Sequence, residues 1–332
     1  NGVYQFADIA AYEAGTPNRY QYFRPAGDNI DNMAAEFGIG DFGLFVMDTW
    51  AVNSNLTVNY GFRYDMYSVD EKPTYNATAS NTFGYNNSNT IDGESLFQPR
   101  VGFNYTFDSE RPSQLRGGFG LFAGQSPTVW LANPFSNNGL SYTDYFVSTG
   151  AGVTFNPDPN NQPRPNAFGT QSIDFISPDL EQPSAWKANI AFDIETPWNG
   201  IVFTTEFITT DVNEAIFYQQ LNLGASTSVG QDGRIVYFNS QGLNPDCWTA
   251  TGSNPTNSAA LATGCASQNL TTGVISTRVQ SRSNRDRAYN NAIIAQSTGK
   301  GSSDSFTLAL SQPFNEGDWS WNVGYTYTLA TE

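Results

Sequence analysis

The stretch NLTVNYGFRYDMY, Asn55 to Tyr67, alternates from end to end. Leu56, Val58, Tyr60, Phe62, Tyr64 and Met66 are apolar or aromatic, whereas Thr57, Asn59, Gly61, Arg63 and Asp65 are small, polar or charged. A strand sends successive side chains to opposite faces, so this segment has one greasy face and one wet face. The greasy face carries no charge over about eleven residues, the length a tilted strand needs to cross a bilayer. A surface strand of a soluble sandwich alternates too. Recurrence along the chain has to separate the two readings.

The pattern recurs. Alternation over 41–52 ends in Asp48-Thr49-Trp50, and a short turn at Asn53-Ser54 leads into the quoted stretch. Strands follow over 100–107, with Val101, Phe103, Tyr105 and Phe107 on one face, and over 115–124. The cleanest repeat after the first covers 185–195, with Trp186, Ala188, Ile190, Phe192 and Ile194 opposite Lys187, Asn189, Asp193 and Glu195. The turn 196–200 returns the chain through 201–210, extending over 212–221. Residues 289–312 read as one long strand with an irregularity at Gly299-Lys300-Gly301, and 319–329 alternates strictly.

The connections carry more weight than any one strand. Short turns alternate with long polar loops, about 68–98, 125–183 and 222–286. Transmembrane barrels of the outer membrane are built this way, with tight periplasmic turns and long external loops. Trp50, Phe107, Trp198, Phe314 and Trp319 sit beside the short turns, and Tyr64, Tyr67, Trp186, Tyr325 and Tyr327 near the long loops. Two aromatic girdles are expected from that placement. The fold class is therefore all-β, an antiparallel transmembrane β-barrel. Strand direction puts both ends of the chain outside, and open edges cannot face lipid. A segment of a larger barrel is expected, as is a processed piece beginning at Asn1.

Composition narrows the chemistry. The net charge of -16 disfavours nucleic acid, which needs a basic surface. With no histidine, a His-based triad or His-ligated zinc has no residues to build it. No enzyme, cofactor or metal is expected. Cys247 and Cys265 flank a polar loop, and a disulfide there suits an oxidising compartment. Residues 1–40 lack alternation and read as surface loop, with a short helix within 5–14 closed by Gly15 and Pro17. Asp28, Asp31 and Glu36 do not match the spacing of an EF-hand and read as a solvated acidic loop. Gly299-Lys300 is not a phosphate loop, because Ile294 stands where the first Gly is needed and Gly301 where Ser or Thr is needed.

Arg63, Asp65, Arg100, Arg116, Lys187, Asp193, Glu195 and Glu206 are candidates for the lumen face, where they would pair with one another or touch a passing substrate. Asp193 and Glu195 are spaced two apart, but nothing else suggests acid–base work. Trp130, Tyr142, Tyr145 and Trp248, with Arg282 and Arg285 from the basic cluster Arg278, Arg282, Arg285 and Arg287, are candidates for ligand contact in the loops. The same rings can instead pack the loops themselves.

Residues 43–50, GLFVMDTW, followed by 56–65, LTVNYGFRYD, resemble the F-x-Q-D-x-W…L-T-L-N-x-G-x-R-Y-D signature of TonB-dependent outer-membrane receptors, in particular their Oar-like branch. Met47 stands where that pattern has Gln. Gln98–Phe103, Leu115–Phe122, and Phe6–Ile9 with Gly15–Pro17 are similar to flanking parts of the same receptors. The resemblance implies a barrel of about 22 strands. It also implies a plug domain, TonB as energy partner, outer-membrane lipid around the wall and a ligand taken in through the loops. Alternatives from other classes are a non-transporting surface or adhesion barrel and a soluble all-β binding module.

Overall fold

The structure is a computed structural model. It describes residues 2–124, 128–148, 154–163, 169–198, 200–224, 226, 228–237, 248–249, 252–253, 267–268, 275–276, 286, 288–312 and 319–332. The strands of four or more residues, in chain order, are β1 (Gly2–Gln5), β2 (Arg19–Pro25), β3 (Ile39–Ala51), β4 (Leu56–Val69), β5 (Ser95–Thr106), β6 (Ser113–Ala123), β7 (Tyr142–Ser148), β8 (Gln171–Ile176), β9 (Ser184–Glu195), β10 (Val202–Gln220), β11 (Tyr289–Thr298), β12 (Ser302–Gln312) and β13 (Trp321–Thr331). Three short helices join them: α1 (Ile9–Glu13), α2 (Ala77–Phe83) and α3 (Thr128–Ser136).

Eight strands form an antiparallel wall in the order β13-β12-β10-β9-β6-β5-β4-β3. These are the strands that the alternation predicts. Register then sorts the side chains. Val58, Phe103, Gly117, Ile190, Phe207, Phe306 and Tyr327 fall in one cross-strand row on the apolar face. Gly61, Arg100, Gly120, Lys187 and Thr210 fall in a row on the opposite face. Gly117 has a packing reason to lack a side chain. A Cβ there would lie 2.8 Å from the Phe103 ring and 2.8 Å from the Asn189 carbonyl oxygen. The apolar rings of the wall are largely uncovered, Val323 at 65% and Tyr325 at 66% exposure.

The long strand expected over 289–312 is present as β11 and β12. Both pair with β10, the first with its far half (Ala215–Gln220) and the second with its near half (Val202–Asp211). Gly299-Lys300-Gly301 is the interruption between them, and the Val212 N–H donates to the Gly301 carbonyl. β10 therefore runs beyond the wall.

The loops depart from expectation. The segment read as loop over 1–40 contributes β1 and β2, which join β7 in a three-stranded sheet. Alternation fails to announce these strands because Arg19–Pro25 carries apolar rings on both faces. α1 lies inside the expected helical stretch, with the Ala11 N–H donated to Asp8 Oδ1 and Gly15 in the left-handed region at φ 62. The loop after β4 folds α2, whose Ala79 N–H donates to Asn76 Oδ1 and whose C-cap is Gly84. α2 buries Ala79 and Phe83 against Ile173 and Phe175 of β8 and Tyr289, Ala292 and Ile294 of β11. β8 pairs with β11 in parallel. A second cluster, Ile91, Leu131, Ile176 and Leu180, packs on Phe37, Tyr67, Val69 and Ile216. The segments expected as irregular loops thus form a cap with cores of its own.

Tyr67 also departs from the expected girdle. It pairs opposite Asp41, which sets it on the face of Arg63 and Asp65, and it packs under the cap. A stretch read by parity alone counts rings near a loop without asking which way they point. Phe314, Cys247 and Cys265 lie outside the described residues.

Candidate functional site

The polar face of the wall is laid out by strand register, which sets all eight charged candidates on one side. Arg63 pairs with Asp65 at 2.7 Å. The Gln98 amide donates to Asp65 Oδ2, and its own oxygen accepts from Arg100 Nη2 at 2.9 Å and from the Ala123 N–H at 3.0 Å. The Arg100 guanidinium lies over the Phe122 ring, 4.6 Å from its centroid. Farther toward the short turns, Arg116 bridges Asp193 at 3.1 Å and Glu206 at 3.5 Å. Asp193 also accepts from Thr204 Oγ1 at 2.7 Å and from Gln114 Nε2 at 3.0 Å, and Glu206 accepts from Asn189 Nδ2 at 3.1 Å. The face continues onto β12 and β13 as hydroxyl pairs, Ser305 with Thr328 and Thr307 with Thr326, each at 2.9 Å.

Sequence reasoning picked the charged members of this network but not Gln98, Gln114 and Thr204. Their signal was position on the wet side of an alternating strand. Glu195 stands at the end of β9 opposite Val202, beside a cavity of about 230 Å³ also lined by Gln114 and Asp193. Its neighbour two residues back, Asp193, is engaged by three donors, Gln114, Arg116 and Thr204.

The loop candidates are less uniform. Trp130 sits edge-on against Tyr218 at 5.2 Å, and Tyr142 donates its hydroxyl to Asn137 Oδ1 at 2.7 Å. Tyr145 pairs opposite Tyr22 across β2 and β7. These rings pack the cap. Trp248 lies in a described strand pair, although its side chain is outside the described set, as are Arg278, Arg282, Arg285 and Arg287. Arg24, in the acidic stretch near Asp31, pairs with Asp28 at 2.9 Å.

Burial governs the acids of the cap. Asp174 is pushed above the usual carboxylate range by burial, partly opposed by the Asn137 amide donated at 2.7 Å. Asp144 is raised by burial as well, against donation from Gln21. Asn222, fully buried, closes the neck of the longest loop. Its amide donates to the carbonyls of Asp286 and Tyr289, and its oxygen accepts from the Asp286 N–H. No described helix is long and apolar enough to cross a membrane.

The family described as "Outer membrane beta barrel domain" matches residues 3–332. No curated protein matches the chain. Among solved structures, the siderophore receptor PirA from Pseudomonas aeruginosa is similar at 13% identity and a TM-score of 0.42. That match covers 89% of this chain and 35% of the receptor, so the chain spans about a third of its length.

Proposed function

This chain belongs to the outer membrane beta barrel domain family and resides in the outer membrane of a Gram-negative bacterium, and from that premise we propose that it is part of a TonB-dependent receptor. Its capped loops capture a ligand outside and its wall passes the ligand inward. The observation that carries the reading is the pairing of a folded external cap with a wall whose eight charged candidates share one face, while Asp48, Asp211 and Asp304 stand on the other toward the strand ends. That polar face lines the water-filled interior, and the rings of the other face meet lipid. A wall that continues beyond β3 and β13, a plug domain and the energy partner TonB belong to the same reading, through the receptor-like signature at 43–65. No catalytic role is assigned.

The test begins with full-length protein purified from native outer membranes, whose co-purifying small molecule is identified by mass spectrometry. Uptake of that molecule is then measured in cells with and without the gene, and after a protonophore collapses the inner-membrane gradient. Gene-dependent uptake that stops on collapse supports the proposal. Uptake indifferent to both overturns it in favour of a surface or adhesion barrel. We also propose that Cys247 and Cys265 are bridged, and alkylation of the denatured protein would then find no free thiol. Two alkylated sulfurs would refute the bridge.

A further inference from the structure

The charges of the polar face are not evenly mixed. Toward the short turns, Arg116 is matched by two carboxylates, Asp193 and Glu206. Two rows nearer the cap side on the same face stand Arg100 and Lys187, on either side of Gly120. Neither has a carboxylate partner among the described residues. Adjacent strands are about 4.8 Å apart, so the two backbones are separated by roughly 10 Å, within the joint reach of two long side chains.

Arg100 is held in place for such a meeting. Its Nη2 is fixed by Gln98, its guanidinium rests on Phe122, and its Nε is buried with no hydrogen-bond partner. Its stem leans across the missing side chain of Gly120, with Cγ 3.0 Å from where a Cβ would sit. A cavity of about 270 Å³ opens beside this pair, lined by Arg100, Gly118, Phe122, Lys187, Asn189 and Ile208 among others. Lys187 is exposed. The carboxylate of Asp65 is taken by Arg63 and Gln98, and Glu206 pairs in register with Ala191, four residues beyond Lys187.

We propose that Arg100 and Lys187, flanking Gly120, form a binding subsite on the lumen face for a small carboxylate-bearing anion. A planar guanidinium offers paired N–H donors to a carboxylate, while the ammonium adds a mobile point charge. Gly118 borders the cavity without a side chain to fill it, and the acidic pair around Arg116 lies farther along the same face and repels the anion back toward the subsite. The inference rests on the wet-interior reading of this face.

Citrate serves as the probe and reductive methylation of lysine as the readout. The chain has three lysines, Lys72, Lys187 and Lys300, so the other two are internal controls. Full-length protein in detergent is methylated with and without citrate and mapped by mass spectrometry. At a citrate concentration ten times its dissociation constant, methylation of Lys187 is expected to slow about tenfold by mass action, with Lys72 and Lys300 unaffected. Arg100→Gln is expected to weaken that protection by about tenfold or more, through loss of charge-assisted bonds. A Lys187 that reacts freely but is unprotected by citrate, or protection equal at all three lysines, overturns the subsite alone. A Lys187 inert even without citrate overturns the subsite, which needs that ammonium open to water, and labelling of Lys187 by a photoactivatable lipid in a bilayer would overturn the wet-interior reading with it.

Discussion

The wall and the cap of this molecule treat the same kinds of residue in opposite ways. In the wall, Phe207, Ile190 and Tyr327 stay uncovered, whereas in the cap Ile173 and Ile294 are wholly enclosed and Phe175 nearly so. A single solvent does not ask for both. An apolar ring at 58% exposure, as at Tyr327, is a liability in water and unremarkable against acyl chains. A polar loop in water must instead collect apolar groups from several segments to offset its ordering. The chain therefore carries two stability mechanisms, a hydrogen-bonded ladder in lipid and a packed core outside it.

Matched substitutions put the largest strain on that comparison. Phe175→Ala is expected to destabilise the cap by about 3–5 kcal/mol, because a buried cavity opens. Phe207→Ala on the wall is expected to cost less than about 1 kcal/mol, because lipid tails as apolar as Leu refill the space. Denaturant titration of the membrane-embedded protein, with limited proteolysis reporting on the cap, would measure both. Equal costs would erase the distinction. Next in size, Ile190→Arg is expected to lower wall stability by about 2–4 kcal/mol in a bilayer. The same change in a soluble sandwich face would be nearly silent, so an unaffected folded band on an unheated gel would speak against lipid.

Asn222→Ala tests the cap from its polar side. Losing the three hydrogen bonds of this buried side chain at the neck of the longest loop is expected to cost about 1–3 kcal/mol, read as faster proteolysis between β10 and β11. The smallest effect is a pH dependence. Asp174 titrates above its ordinary value because burial disfavours its charge. The folded cap then binds a proton more readily than the unfolded chain. Its contribution is whole below the ordinary aspartate pKa and is lost as pH rises through the raised one. Asp174→Asn is expected to flatten cap stability over that window, measured by proteolysis rate against pH. A slope that persists in the variant would assign it to another group.

Much of the candidate site was legible in advance, for a physical reason. On an alternating strand, position alone fixes the face, so Arg63, Arg100, Arg116, Lys187 and Asp193 could be grouped before their neighbours were known. Which of them are partnered was not legible. Arg116 meets Asp193 across β6 and β9, whose chain positions are 77 residues apart, and Arg100 is left without a carboxylate by where Gln98 places its amide. Tyr142 and Trp130 looked like free loop rings because nothing in their own segments names Asn137 or Tyr218 as partners.

The amino-acid order by itself determined the wall: its strand count, its short turns, its two unlike faces and the solvent each prefers. Those properties follow from a period of two and from turn chemistry, both read over a few residues. Only tertiary structure decided the cap. Gln171–Ile176 alternates only over Ser172–Phe175, too short a run to announce a strand, and pairs in parallel with Tyr289–Thr298, while α2 supplies the side chains that enclose them both. Contacts made across more than a hundred residues depend on where the wall delivers each loop, and no local pattern encodes that.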